Sequence, residues 1–154
     1  MSNSTPYYYE PNGDVAVNGK TYTKEEYVKK FGRWYNFSAA MAINNEDVEL
    51  DYPHRGICPK GWHVPSNKEW HTMASFVYNS TNPDYKSLEC SPSISDKGYA
   101  CIVMALADST DWKFSANNAT GLSLLPAGYY EREYSAIGKG TYLWSATPAS
   151  PNKV

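Results

Sequence analysis

Aliphatic side chains are scarce in this 154-residue chain. Leu, Ile, Val and Phe together fall below the ~20% at which disorder is suspected, yet a net charge of only −2 excludes the highly charged disordered class. No cluster of Lys and Arg is present, so the basic footprint that phosphate backbones require is missing and nucleic acid is excluded as a partner. No apolar run is long enough to span a bilayer, and Met1 to Thr5 is polar where a secretory signal would need an apolar stretch. A soluble chain with no membrane span is expected. His54, His63 and His71 share no HExxH or other close ligand spacing, and the GxSxG elbow of serine hydrolases is absent. Neither a metal nor any other cofactor is therefore expected. The three cysteines, Cys58, Cys90 and Cys101, are an odd number, which leaves a thiol without an intramolecular partner.

Aromatic rings make up the deficit. Fourteen Tyr and five Trp supply large buried areas with a polar handle on each, among abundant Ser, Asn and Gly. In a chain so short of aliphatics, most of Trp34, Trp62, Trp70, Trp112 and Trp144 are expected in the core, with Trp62, Trp70 and Trp144 given structural roles. At 154 residues, one domain with one core is expected.

The densest stretch is ICPKGWHVPSNKEW, Ile57 to Trp70. Pro59 and Pro65 restrict their own φ and bias the preceding residues to extended conformations. Ser66 and Glu69 then form a capping box that starts a helix, with Trp70, Met73, Ala74 and Val77 as its apolar stripe and an end near Tyr78. Thr23 and Glu26 make a second box, followed by Tyr27, Val28 and Phe31 and stopped by Gly32, which gives about two turns. Turns are expected at Glu10 to Gly13 and at Asn18-Gly19. RWYNFSAAMAI, Arg33 to Ile43, reads as a strand passing into a helix. The acidic stretch from Asn44 to Arg55 reads as a solvated loop, as does Ser80 to Gly98. Tyr99 to Asp108 is a helix candidate whose pairs Cys101/Ala105 and Ile102/Leu106 share one face, joined by Trp112 and Phe114. Beyond Asn117, short apolar runs at Leu122 to Gly128, from Tyr129 onward and at Thr141 to Ala146 read as strands, with Glu131 to Gly140 joining antiparallel neighbours. Four Asn-x-Ser/Thr sequons stand at Asn3, Asn36, Asn79 and Asn118.

Three motifs, GRWYNFSAAMA, ICPKGWHVPSNKEW and NNATGLSLLPAGYY with its downstream YLWSAT, resemble the Fibrobacter succinogenes major paralogous domain in order and spacing. The resemblance covers Tyr7 to Thr147. It implies an α+β fold of C-type-lectin-like type, with short helices packed on a small, mostly antiparallel sheet. It also implies an extracellular or cell-surface setting, as in lipoproteins and adhesins of Bacteroidetes and Fibrobacter. Some relatives are variable proteins of diversity-generating retroelements. The resemblance settles no function. Members usually begin upstream of Tyr7 and continue beyond the Trp-Ser segment to a cysteine that would partner Cys58, so a partial domain is expected, able to associate through unpaired sheet edges.

The function expected is a non-enzymatic binding or adhesion domain for an unknown carbohydrate or protein. Two alternatives stand beside it: an enzyme of the formylglycine-generating type and a structural pilus or phage-tail component. The enzyme would require a cysteine pair in the C-terminal part, yet no cysteine follows Cys101. The ligand surface is expected around Tyr129, Tyr130, Tyr134 and Tyr142, rigid aromatics beside Gly138, Gly140 and charged Glu131, Arg132 and Glu133, with Tyr130 and Tyr134 as exposed anchors. A bond between Cys90 and Cys101 would close a short loop and stabilise by roughly 3 kcal/mol, leaving Cys58 free.

Overall fold

The structure, a computed structural model, describes residues 5–44, 50–80 and 98–147, with backbone alone at 98–101. Cys90, the Cys101 side chain, the Asn3 sequon, Glu46, Asp47 and Glu49, and the stretch 81–97 lie outside the described residues, and with them the bond expected between Cys90 and Cys101. The architecture is α+β, with ten short elements among the described residues.

Strand β1 (Tyr8–Tyr9) pairs antiparallel with β4 (Trp34–Tyr35), and β2 (Val15–Val17) pairs antiparallel with β3 (Lys20–Tyr22). The Asn18-Gly19 turn between β2 and β3 has positive φ at both residues, as the right-handed twist of a two-residue hairpin favours. Helix α1 (Lys24–Phe31) begins at Thr23, whose side chain accepts from the Glu26 amide while Glu26 reaches back to the Thr23 amide, and it stops at Gly32. Arg33 to Ile43 turns from strand to helix as expected: Asn36 ends β4 and caps α2 (Phe37–Met41) by accepting from the Ala39 amide.

Helix α3 (Asn67–Asn79) starts in the Ser66/Glu69 box. Ala74 and Val77 of its stripe are buried against Ile102, Ala105 and Leu106 of α4 (Gly98–Leu106), with Met73 and Tyr78 partly covered. The carbonyls ending α4 find partners in the chain that follows: Met104 accepts from the Asn117 and Asn118 amides, Ala105 from Thr120, and Leu106 from Leu124. The lead-in to α3 is fixed by backbone bonds from Val64 to His54, from Ala146 to Pro65 and from Ile57 to Ala40. At Gly56, with φ of +55°, an added Cβ would lie 2.3 Å from the Ala40 oxygen, so glycine is required there. Cys58 is a free, half-buried thiol beside the cluster of Ala40, Met41, Ile43, Val64 and Ala146.

Beyond residue 117 the structure departs from the strands expected. Leu122 to Gly128 contributes only single parallel bridges, Ala107 to Leu124 and Gly128 to Thr141. A hairpin of β5 (Tyr129–Tyr130) with β6 (Tyr134–Ser135) forms there, with β6 inside the stretch read as a loop, so β5 pairs with that stretch and Thr141 instead meets Gly128 in a parallel bridge. Isolated bridges suffice here because side chains carry the load: Trp112 Nε1 donates to the Leu124 oxygen and Thr141 Oγ1 to the Leu125 oxygen. The expected core position also fails at Trp62, which is 72% exposed at the tip of a turn closed by its own amide on the Pro59 oxygen. Phe114 is exposed too, resting on half-buried Trp112.

Candidate functional site

Eight rings in successive contact link the N-terminal elements to β5 and β6: Tyr22, Phe31, Tyr27, Trp34, Tyr134, Tyr130, Tyr9 and Tyr7. Their polar handles are tethered far along the chain. Tyr27 Oη and Trp34 Nε1 both donate to the Ala127 oxygen at 3.1 Å, and Tyr134 Oη donates to the Glu10 oxygen at 2.6 Å. Tyr22 Oη donates to Asp111, whose carboxylate also pairs with Lys30. Burial alone would raise the Asp111 carboxyl, but hydrogen bonds from Lys30, Tyr22 and Thr110 outweigh it and hold the group below its ordinary value. The same contact raises Lys30. Asn18 Nδ2 completes the tie by donating to the Asp111 and Gly138 oxygens.

Beside this ladder a groove of about 790 Å³ opens between β4, the 123–131 segment and residues 141–144. Phe31, Trp34, Ala40, Leu124, Leu125 and Ala127 form its more buried part. Arg33, Tyr35, Glu131, Tyr142, Leu143 and Trp144 form its exposed part. Along Arg33-Trp34-Tyr35 exposure alternates, with Trp34 half-buried between two exposed neighbours. The backbone behind Tyr129 is fixed by Gly128, whose φ is +68° and where a Cβ would lie 2.2 Å from the Ser135 oxygen.

Of the four tyrosines expected at a ligand surface, Tyr129, Tyr130 and Tyr142 line the groove and Tyr134 does not. Tyr142 is 61% exposed and meets Tyr129 edge-on at 4.7 Å. Tyr134 and Tyr130 are not the free anchors expected: Tyr134 stacks on Trp34 with its hydroxyl bound, and Tyr130 lies 3.7 Å from Tyr9. Burial, with Tyr9 and Tyr134 alongside, raises the Tyr130 hydroxyl.

Trp144 is half exposed, its Nε1 donating to the Tyr35 oxygen at 2.8 Å and its ring edge-on to Phe37. Trp70 is half buried on α3, while Ser66, Glu69 and Cys58 serve the scaffold away from the groove. Arg33, Tyr35 and Leu143 were not foreseen at the site. The alternation in Arg33-Trp34-Tyr35 carried the signal for the first two.

Arg33 lies over the Tyr8 ring and is paired with Glu10, which Lys24 also reaches. The Arg33 and Lys24 hydrogen bonds hold Glu10 below the ordinary carboxylate range. No histidine or cysteine among the described residues lines the groove. Among the described residues no group of three or more His, Cys, Asp or Glu is placed to hold a metal ion, and no helix is long and apolar enough to cross a membrane. Aromatic faces, a few hydroxyls and two charges can adsorb a ligand and orient it.

The motifs that shape this site, RWYN at β4 and the GLSLLPAGYY and YLWSAT segments across the groove, lie within a match to the family model described as Fibrobacter succinogenes major domain, which spans residues 2–154. The chain belongs to that family. In this Fibrobacter succinogenes major domain, the ICPKGWHVPSNKEW stretch supports the fold and the other two motifs face each other across the groove. No curated protein and no solved structure matches the chain.

Proposed function

We propose that this Fibrobacter succinogenes major domain is a non-enzymatic binding domain of C-type-lectin-like fold, displayed at a cell surface, that takes a carbohydrate or protein ligand in the aromatic groove. The observation that carries the proposal is the contrast within the groove: exposed Tyr142, Leu143 and Trp144 stand over a wall whose rings are tethered to distant backbone. Rigid aromatic surfaces beside adaptable hydroxyls suit recognition, because little side-chain freedom is lost on binding. The small antiparallel sheets and short helices are compatible with the fold, and the surface setting follows the resemblance.

Parallel glycan-array and peptide-array screens of the full chain and of Tyr142→Ala test the proposal. Retained ligands should lose at least tenfold in apparent affinity on Tyr142→Ala while the melting temperature barely moves. Ligands that bind both proteins equally would place recognition away from the groove and sink the reading.

A further inference from the structure

The groove's polar groups are mostly engaged before any ligand arrives. Trp34 Nε1 is bound to the Ala127 oxygen, Trp144 Nε1 to the Tyr35 oxygen, Thr141 Oγ1 to the Leu125 oxygen, and Ser123 Oγ accepts from Asn118. Arg33 is paired with Glu10. The Tyr130 hydroxyl is bonded to Tyr9. What remains among the described residues is the hydroxyls of Tyr35, Tyr129 and Tyr142, which can donate, and the exposed Glu131 carboxylate, which no cation among the described residues pairs with.

This remainder discriminates between ligand classes. A sugar, with a hydroxyl on nearly every carbon, would need several unengaged planar polar side chains to replace its water. A peptide adding as a strand would need an open backbone edge, yet β1 occupies one edge of β4 and the Trp144 indole caps the Tyr35 carbonyl on the other. A polyproline II segment needs neither. Its rings pack on aromatic faces, its carbonyls are free to accept from tyrosine hydroxyls, and its conformation is largely set before binding. Resting on the reading that the groove is the recognition site, we infer that its ligand is a proline-rich peptide in polyproline II form carrying a basic residue that meets Glu131.

Calorimetric titration of the full chain tests this with three probes. These are a ten-residue proline-rich peptide with arginine at both ends, its twin with glutamate at both ends, and cellohexaose. The arginine peptide should bind about fivefold more tightly than its twin, the size expected of an exposed charge contact. Glu131→Lys should invert that preference, and Tyr142→Ala should weaken both peptides at least tenfold. No binding of the arginine peptide at millimolar concentration overturns the inference, as does binding indifferent to both substitutions. Cellohexaose binding that Tyr142→Ala abolishes, with the peptides inert, overturns the peptide but keeps the groove as the recognition site.

Discussion

Around α1 the buried side chains are Val17, Tyr22 and Tyr27, with Phe31 and Trp34 beside them, whereas between α3 and α4 they are Ala74, Val77, Ile102, Ala105 and Leu106. The buried side chains of the aliphatic layer carry no polar atoms and meet by contact, which is non-directional and tolerates small shifts. In the aromatic region four rings carry a donor aimed at a distant acceptor: Tyr27 and Trp34 at Ala127, Tyr22 at Asp111, Tyr134 at Glu10. Those bonds fix orientation as well as distance and join segments about a hundred residues apart. The groove is built on the second kind of packing. A recognition surface that must keep its shape is thus attached to the region where geometry is most tightly specified, and the oily layer supplies bulk stability at a distance.

The sharpest way to break this comparison is Tyr27→Ala. Removing a fully buried ring should destabilise the chain by about 3–5 kcal/mol in urea denaturation, and ligand binding should fall with it because Ala127 loses a tether. Tyr27→Phe should destabilise by only about 1 kcal/mol, since Trp34 still serves the same oxygen. Equal effects of the two substitutions would show that the hydroxyl, not the ring, organises the region. In the other region, Val77→Ala should destabilise by about 2 kcal/mol and leave groove binding unchanged once the remaining folded fraction is allowed for. Weakened binding by that folded fraction would erase the distinction between the two regions.

The smallest effect separates the two capping boxes. Backbone bonding at Ser66, with Tyr52 and His63 adding side-chain bonds, lowers the Glu69 carboxyl from 4.5 to about 2. Glu26 is also lowered, by the backbone and side chain of Thr23 with a smaller contribution from the charge of Lys20. A depressed carboxyl stabilises the fold fully above its unfolded value, and that contribution fades as pH falls from about 4.5 towards about 2, because the unfolded chain takes up the proton first. Glu69→Gln should therefore flatten the acid limb of a melting-temperature profile more than Glu26→Gln. The reverse order would assign the acid sensitivity to α1.

Much of the scaffold was legible because its signals are local. Both capping boxes, the Gly32 stop, the strand-to-helix change at Asn36 and the α3 stripe each lie within a few residues and depend on backbone geometry that nearby side chains dictate. The region after residue 117 was not legible in the same way. Its segments keep their places through single bridges and side-chain bonds to partners distant in sequence, so short apolar runs there resembled strands. Tyr134 shows the limit for the site. Nothing in EREYS marks its hydroxyl for Glu10, 124 positions away, or its ring for Trp34. Trp62 fails for the opposite reason, since the turn that carries it holds the indole outward and composition alone gives no direction.

Asn36 has a consequence for anyone producing the protein. Its side chain is buried, accepting from the Tyr7 and Ala39 amides through Oδ1 and donating to the Thr5 oxygen through Nδ2. That same nitrogen is the atom to which an oligosaccharide would be joined in Asn36-Phe37-Ser38. In yeast or mammalian secretion, the emerging polypeptide therefore faces a race between docking of residues 5–9 on β4 and meeting the transferase. Molecules modified first cannot seat the amide, whereas those that fold first shield it, so glycan occupancy at this one position reads out how early the N-terminal segment docks.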